Sequence, residues 1–381
     1  MPTLLHISEI AGTQGGIEEY VRNATDILRA AGWRVELLYA RKARGVQDYL
    51  RHFDAASTDP STLSATPDLA LVHRIWDGEL FERLLVRHGA RTALVVHDHH
   101  LYCPRRHYYI PFGRRNCQRA WSYLRCTLCA LCRRHPDFRE VCLDFPKRYR
   151  LAHFTPRLVV LSDFMRGNLV RNDFAEERIA VIPPVVPVPP DGATPSPAHF
   201  KGALPRIGFL GQLIRGKGAD TFLEVLDLLR RRGRAFEAVL AGQGEEFDRL
   251  QAAARRLRLP VELPGFVSPV RAIYERCDVM LFPFRWQEPF GLTGAEAAAH
   301  AVPVVAYDRG GVRQWLRDGK TGFAVPPERG VAGLADAVEQ LLDAPALCAR
   351  MGVAARAFAA DAWNPARFVA ALAALLPSAT P

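Results

Sequence analysis

Short apolar runs alternate along the chain with segments in which apolar residues recur every three or four positions. The first run, residues 3–7, ends at a glycine-rich turn at 12–16. Apolar residues then recur at helical spacing from 17 to 28, and residues 34–39 form a second run. The order strand, glycine turn, helix, strand is that of a βαβ unit, in which the two strands pair in parallel.

The same alternation predicts two α/β domains. Further strands are expected at 69–73, 93–97, 158–162 and 179–182, and, after a proline-rich segment, at 206–210, 238–241, 279–282 and 304–307. We predict a first domain at 1–182, a linker at 183–205, a second domain at 206–360 and a C-terminal helix at 361–381 that packs back across a domain. A length of 381 residues suits two such domains.

Composition narrows the class of protein. Apolar residues make up 49% and charged residues 24% of the chain, which is the balance of a globular protein. No apolar run reaches the roughly 18–20 residues that cross a bilayer, and the first residues lack the basic stretch of a secretory signal. We therefore expect a cytoplasmic protein with reduced cysteines rather than an integral membrane protein.

The formal net charge of +10 is concentrated in one region. Residues 99–158 contain thirteen Lys and Arg against three Asp and Glu, whereas the rest of the chain is balanced. We predict that this region is an insertion in the first domain. It is either a solvated arginine-rich loop or a surface for a phosphate-bearing acceptor or for the inner face of an anionic membrane. The balance elsewhere argues against a nucleic-acid partner.

Five of the eight cysteines lie within thirty residues of the insertion, between Cys103 and Cys132. Three of them, Cys126, Cys129 and Cys132, follow a Cys-x-x-Cys-x-x-Cys spacing, and thiolates at this spacing can share a metal ion. We predict a structural zinc site formed by Cys117 with these three, or with Cys103 in place of one of them. Free thiols, a disulfide framework and an iron–sulfur cluster remain alternatives.

Two glycine-rich loops follow predicted strands. The first contains Gly15 and Gly16, but its spacing differs from that of a dinucleotide fingerprint, and no acidic residue ends the next strand. The second, at 211–218, lacks the Gly-Lys-Ser/Thr order of an ATP-binding loop. Both leave backbone N–H groups near a helix N-terminus, which suits a phosphate, and the alternative for each is a simple tight turn.

The most specific pattern lies at 282–297. Glu288 stands in a proline-flanked loop after a strand, and Glu296 stands eight positions later in a helix that begins near Leu292 or Thr293. The run Glu-Pro-Phe-Gly-Leu at 288–292 leaves N–H groups free at the N-terminus of that helix and suits an anion. A solvated side chain is the alternative for Glu296.

This pattern resembles that of the retaining glycosyltransferases of family four, whose GT-B fold has two Rossmann-like domains facing each other across a cleft. Other stretches are similar to the family in the expected order, namely 15–19, 96–98, 211–218, 265–267, 310–312 and 318–322. The sequence departs from the family's pattern in two places. Gln212 stands where an arginine is usual, and Arg-Gln at 313–314 replaces an acid.

The resemblance implies transfer of a sugar from a nucleotide diphosphosugar to a glycan, lipid-linked or small-molecule acceptor, with retention of configuration. It implies that Glu288 contacts the donor sugar, that Glu296 binds the ribose hydroxyls, and that His97 lies beside the anomeric centre. The implied catalytic residues are His97, Lys217 and Glu288. The other implied nucleotide- and donor-binding residues are Gly15, Gly16, Gly211, Gln212, Arg215, Gly242, Phe266, Phe290, Gly291, Leu292 and Thr293.

The sequence contains no Asp-x-Asp pair of the kind that holds a metal–diphosphate complex. We therefore expect Lys217, Arg215 and the helix N-terminus after Gly291 to stabilise the departing diphosphate without a catalytic divalent metal. A metal site formed by the histidines and the aspartate at 97–100 is a less favoured alternative.

Two other functions remain as alternatives. One is a GT-B-fold sugar epimerase or phosphorylase; the Glu-Pro-Phe-Gly-Leu element disfavours the epimerase and the chain length disfavours the phosphorylase. The other is a Cys- and Arg-rich nucleic-acid-binding protein, which the balanced charge outside the insertion disfavours.

Overall fold

The computed structural model describes residues 1–13, 15–110, 115–132, 137–189, 200 and 202–377. The chain forms two compact units. Unit 1 comprises Met1–Val185 and Trp363–Pro381, and unit 2 comprises Val186–Ala362. Of the predicted linker, residues 190–199 and 201 lie outside the described residues.

Unit 1 is built on a seven-stranded parallel sheet with the strand order β3-β2-β1-β4-β5-β8-β9. The strands of unit 1 are β1 Thr3–Ala11, β2 Arg34–Lys42, β3 Ala55–Ser57, β4 Leu69–Val72, β5 Thr92–Val96, β6 Tyr109–Ile110, β7 Arg115–Asn116, β8 Arg157–Val160 and β9 Ile179–Val181. Its helices are α1 Gly16–Ala30, α2 Val46–Leu50, α3 Gly78–His88, α4 Tyr123–Leu131, α5 Phe145–His153 and α6 Asp163–Arg171. The β6–β7 pair is antiparallel and lies within the basic insertion.

The sequence explains why these elements form. The central strands β4 and β5 are almost wholly apolar and fully buried, as expected of a parallel sheet with both faces covered. Helix α3 begins where the Asp77 carboxylate accepts hydrogen bonds from the N–H groups of Glu79 and Leu80. The Asp77 side chain therefore fixes the start of α3 after β4.

Unit 2 repeats this design with a six-stranded parallel sheet in the order β12-β11-β10-β13-β14-β15. Its strands are β10 Arg206–Leu210, β11 Glu237–Ala241, β12 Val261–Gly265, β13 Val279–Phe282, β14 Val304–Tyr307 and β15 Gly322–Val325. Its helices are α7 Ala219–Arg231, α8 Phe247–Arg256, α9 Arg271–Arg276, α10 Leu292–Ala299, α11 Gly330–Asp343 and α12 Pro345–Ala362. A 3-10 turn, Arg215–Lys217, lies between β10 and α7.

The C-terminal apolar stretch, predicted as one helix, is interrupted. Helix α12 ends at Ala362, and α13 (Pro365–Ala373) begins after a break. The Asn364 side chain accepts a hydrogen bond from the Ala366 N–H at 2.8 Å, and Pro365 occupies the first turn, so the pair starts a new helix. Helix α13 lies against α1 within unit 1, where the rings of Phe368 and Tyr20 are 6.3 Å apart.

Candidate functional site

An ion pair lies at the carboxyl edge of the unit 2 sheet. Lys217 ends the turn after β10, Glu288 lies in the loop after β13, and Lys217 Nζ is 2.6 Å from Glu288 Oε1. The two side chains differ in burial, since Glu288 is 6% exposed and Lys217 is 26% exposed. The ammonium also lies 5.4 Å from the centre of the Phe284 ring. The sheet therefore brings together two of the three predicted catalytic residues as a neutral pair.

The loop that carries Glu288 is fixed by contacts from residues 311–315, which follow β14. The Gly311 N–H donates to the Glu288 carbonyl oxygen at 2.6 Å, and Trp315 Nε1–H donates to the Phe290 carbonyl at 2.6 Å. Gly294 lies against the Trp315 ring so closely that a Cβ there would be 2.4 Å from it. Because Trp315 is buried, the loop and the start of α10 are held as one packed element.

Glu296 is positioned by a buried tyrosine. It lies one turn inside α10, and Tyr274 donates its hydroxyl to Glu296 Oε2 at 2.6 Å; the Thr293 carbonyl is a second acceptor at 3.1 Å. Burial, together with the Glu296 charge, raises the pKa of Tyr274 well above its ordinary value, so the hydroxyl remains a donor. Gly291, with φ +97°, precedes α10, which begins at Leu292 as the sequence pattern predicts.

The remaining predicted donor residues lie at the ends of neighbouring strands in unit 2. Gly242 follows β11 with φ +141°, and a Cβ there would lie 1.8 Å from the Gly211 carbonyl oxygen, so only glycine permits this approach. Gln212 and Arg215 are exposed in the loop after β10. Phe266, after β12, is 60% exposed and offers a free aromatic face.

In unit 1, a polar cluster lies at the carboxyl ends of β4 and β5. Asp98, next to His97, is paired with Arg74 at 2.9 Å. Burial alone would raise the pKa of Asp98, but Arg74 and His100 outweigh it and leave that pKa lowered. A small cavity of about 30 Å³ is lined by His97, Arg74, Asp98, His100 and other residues of this cluster.

A second ion pair completes the cluster. Arg148 donates to Glu140 at 3.0 Å, and His100 Nε2 lies 3.3 Å from the same carboxylate. The hydrogen bond with His100 lowers the pKa of Glu140, against the effect of burial and with further help from Arg148. The basic insertion thus contributes charged groups directly beside the loop that carries His97.

The first glycine loop precedes α1 in unit 1. Gly15 precedes α1 with an extended backbone, and Gly16 is the first helical residue. Burial raises the pKa of Glu18, although hydrogen bonds from the Glu18 and Gly15 backbone act in the opposite direction. The Glu18 carboxylate thus lies at the same helix N-terminus, and phosphate binding there stays a prediction.

The five cysteines between Cys103 and Cys132 line one cavity of about 280 Å³. All eight cysteines of the chain are free thiols, and burial raises the pKa of Cys103 to about 12. In the part of the chain that the structure describes, no three His, Cys, Asp or Glu side chains are arranged to hold a metal ion. The zinc site therefore stays a prediction without structural support. Elemental analysis would support it at about one zinc per chain and contradict it below about half.

Sequence reasoning missed the partners of the predicted residues. Tyr274, Trp315 and Arg74 were not identified, although they fix Glu296, the Glu288 loop and Asp98. Each contact joins residues 22 to 25 positions apart in the chain, and no local pattern marks such partners. Only the strand-end position of Arg74, two residues after β4, was a usable signal.

Comparison with known families identifies a segment of the chain. Residues 196–358 match the family model "Glycosyl transferases group 1". The chain is 36% identical over 151 residues to alpha-D-kanosaminyltransferase of Streptomyces kanamyceticus, covering 39% of each chain. It is 32% identical over 225 residues to D-inositol 3-phosphate glycosyltransferase of Pseudarthrobacter chlorophenolicus, covering 54% of this chain and 52% of that one. The alignments thus span about half or less of these relatives.

Solved structures resemble the chain over nearly its whole length. HepE of Anabaena, in complex with UDP-glucose, has a TM-score of 0.73 at 17% identity and covers 99% of both chains. Sucrose-phosphate synthase of Thermosynechococcus elongatus has a TM-score of 0.72 at 17% identity and covers 98% of both. These likenesses establish the fold, which is the GT-B class with two Rossmann-like units, as the sequence predicted. In the described part of the chain, no helix is both long enough and apolar enough to cross a bilayer.

Proposed function

We propose that the protein is a retaining glycosyltransferase that transfers a hexose from a nucleotide diphosphosugar without a catalytic divalent metal. The observation that carries the proposal is the Lys217–Glu288 pair at 2.6 Å, next in sequence to the N-terminus of α10 and to the Tyr274–Glu296 pair. The group 1 match over 196–358 supports the nucleotide-sugar donor. The comparisons favour neither the epimerase or phosphorylase nor the nucleic-acid-binding alternative.

In this proposal the donor binds to unit 2. Glu296, held by Tyr274, accepts hydrogen bonds from the ribose hydroxyls, since a fixed carboxylate is well suited to two vicinal hydroxyl donors. The diphosphate lies toward the N-terminus of α10, where unpaired N–H groups carry roughly half a positive charge. The exposed Phe266 is available to contact the base.

Negative charge builds up on the departing diphosphate during bond cleavage, and nearby positive charge must stabilise it. Lys217 supplies it when its contact with Glu288 loosens, and Arg215, which is exposed and forms no ion pair among the described residues, supplies more. Arg215 in this way compensates for Gln212 at the position where the related family has an arginine.

The acceptor is proposed to bind to unit 1, near His97. Arg74, Asp98 and Arg148, the last paired with Glu140, line the small cavity and offer donors and acceptors for hydroxyl groups. An acceptor that carries a phosphate suits the excess positive charge of residues 99–158. Glycan and lipid-linked acceptors both fit this description.

We also propose that unit 1 rests against an anionic membrane on the cytoplasmic side. Its apolar surface, defined as Tyr123, Leu124, Leu128, Phe138 and Leu143, exposes between 52% and 68% of each residue. Tyr123 donates a hydrogen bond to the Cys142 carbonyl at 3.4 Å, so the two segments adjoin. Exposed basic residues of the same insertion are Arg106, Arg115, Arg119, Arg125, Arg139, Lys147 and Arg150. Apolar side chains together with basic ones match a bilayer of anionic lipid.

The test is a donor panel assayed in the presence of EDTA. Purified protein is incubated with UDP-, GDP- and ADP-hexoses and with glycan, glycolipid or inositol phosphate acceptors, and the anomeric configuration of the product is read by NMR. We expect transfer with the α-linked donor giving an α-linked product, unchanged by EDTA. Inverted product would contradict retention, and activity that is lost to EDTA and restored by Mg²⁺ or Mn²⁺ would contradict metal independence.

A further inference from the structure

Three histidines of unit 1 form a continuous hydrogen-bonded chain. His6 lies in β1, His73 follows β4 and His97 follows β5, and these three strands are neighbours in the sheet. His6 Nδ1 is 2.7 Å from His73 Nε2, and His73 Nδ1 is 2.9 Å from His97 Nε2. Each of these nitrogen pairs shares one proton, so the protonation of one ring determines that of the next.

His6 and His73 are buried, His97 is half-buried, and all three rings are uncharged at neutral pH. His6 and His73 are 0% and 2% exposed, and the Tyr20 ring packs edge-on against His73 and His97 at 5.7 and 4.9 Å. Burial lowers the pKa of His6 to about 3 and that of His97 to about 4, and it lowers the pKa of His73 well below its ordinary value. At neutral pH each ring therefore carries one N–H and one bare nitrogen.

Two proton arrangements satisfy both contacts. In the first, every N–H points from His6 toward His97, which leaves His6 Nε2 bare and places a proton on His97 Nδ1. In the second, every N–H points the other way, and His6 Nε2 carries a proton. His6 Nε2 is buried and has no hydrogen-bond partner among the described residues. Buried N–H groups without an acceptor are rarer than buried acceptors without a donor, which favours the first arrangement.

We propose that His6 and His73 are positioning residues that fix His97 in the Nδ1–H form, so that His97 acts as a hydrogen-bond donor at the carboxyl end of β5. A donor there suits a hydroxyl or phosphate oxygen of the substrate. The contact of His97 with the acceptor rests on the proposed function, but its tautomer does not. A general-base role for His97 would need a bare Nδ1, whereas in this arrangement Nδ1 carries a proton.

The test is ¹⁵N NMR of the whole protein labelled at histidine, without any ligand. The ¹⁵N chemical shifts distinguish a protonated from a bare ring nitrogen, and His97→Gln identifies the His97 signals. We expect the Nδ1–H form in about tenfold or greater excess, which corresponds to at least about 1.4 kcal/mol. His73→Phe should bring the two forms toward equal population, whereas His73→Gln, which keeps one donor and one acceptor, should retain the excess.

His88→Gln is the matched control. Among the described residues His88 is also buried in unit 1 with an Nδ1 that has no partner, but it is not one of the three hydrogen-bonded histidines. It should leave the His97 signals unchanged. If His73→Phe does not fold, His73→Met gives the same readout, since it also removes both ring nitrogens of His73 and with them the contact with His97. A dominant Nε2–H form of His97, or shifts that neither variant changes, would overturn the proposal. Because no substrate is present, that result is distinguishable from failure of the proposed transfer reaction.

Discussion

The Lys217–Glu288 pair makes a prediction about stability that depends on the unequal burial of its two members. Lys217→Ala leaves the Glu288 carboxylate, 6% exposed, without its partner. Glu288→Gln leaves Lys217, 26% exposed, able to reach water, and the amide oxygen still accepts a hydrogen bond from it. The two substitutions break the same ion pair, yet we expect different costs.

The magnitudes follow from burial. Removing one partner of a fully buried pair costs about 3–5 kcal/mol, and a surface pair contributes about 0–1 kcal/mol. Because Glu288 is nearly buried, Lys217→Ala should lower the free energy of unfolding by about 2–4 kcal/mol. Glu288→Gln should lower it by about 0.5–1 kcal/mol. The double variant Lys217→Met/Glu288→Gln should cost less than Lys217→Ala alone, because no isolated charge remains.

Urea unfolding of the four proteins measures these costs. The exposed pair Arg276–Glu262, at 2.7 Å with side chains 45% and 48% exposed, is the matched control in the same unit. Arg276→Ala and Glu262→Gln should each change the free energy of unfolding by no more than about 0.5 kcal/mol. Equal losses for Lys217→Ala and Glu288→Gln, or a double variant as unstable as Lys217→Ala, would refute the reasoning.

The same two single variants should differ in their affinity for nucleotide. On the proposed function Glu288 competes with the diphosphate for the Lys217 ammonium, so Glu288→Gln should bind UDP, GDP or ADP about three- to tenfold more tightly, a gain of roughly 0.6–1.4 kcal/mol. Lys217→Ala should bind the same nucleotide more weakly, and both variants should lose turnover. Calorimetry that finds a weaker diphosphate affinity in Glu288→Gln would contradict this competition.

Three further predictions follow from the structure. Glu296→Ala should weaken nucleotide binding by about 1–3 kcal/mol in calorimetry with little loss of stability, because the Thr293 carbonyl at 3.1 Å remains as an acceptor for Tyr274; an unchanged affinity would contradict the ribose assignment. The His6, His73 and His97 pKa values are lowered in the folded state, so the unfolded chain binds more protons below its ordinary histidine pKa of 6.5. The unfolding free energy should therefore fall as pH decreases from about 6.5 to about 4, by up to about 1.4 kcal/mol per pH unit for each histidine, and His6→Phe should have a shallower slope. Leu124→Ser/Leu128→Ser should reduce co-sedimentation with phosphatidylglycerol vesicles, whereas Val86→Ser, at an 84% exposed site elsewhere in unit 1, should not; binding that is indifferent to salt or to the double variant would contradict the membrane contact.

The buried central strands were the most predictable part of the fold. The predicted strands 206–210, 279–282 and 304–307 coincide with β10, β13 and β14. By contrast, β12 was not predicted, because its five residues alternate in exposure and include Pro264. Strand β15 is only four residues long and begins with a glycine. Edge strands gain their order from pairing with a neighbour, which a local apolar pattern does not record.

The candidate site was predictable where the backbone itself forms it. The loop at 288–292 and the glycines at 310–311 lie at strand ends, and their sequence pattern reflects helix starts and close backbone approach. The contacts that fix side chains were not predictable. His6 and His73 are 67 positions apart, and His6 reads as an ordinary strand residue until the sheet places it beside His73.

The Lys217–Glu288 ion pair neutralises the ammonium that, in the proposed reaction, stabilises the leaving diphosphate. Differential binding offers a reason for this arrangement. In the free protein Lys217 is held by Glu288, so a bound diphosphosugar in its ground state gains little from that ammonium. On the proposed function, bond cleavage increases negative charge on the diphosphate and positive charge on the donor sugar. Lys217 then moves its interaction to the diphosphate while Glu288 turns to the sugar, and both contacts strengthen only as the transition state forms. Such differential binding raises turnover rather than ground-state affinity. It accounts for the two changes expected in Glu288→Gln, which are tighter nucleotide binding and lower turnover.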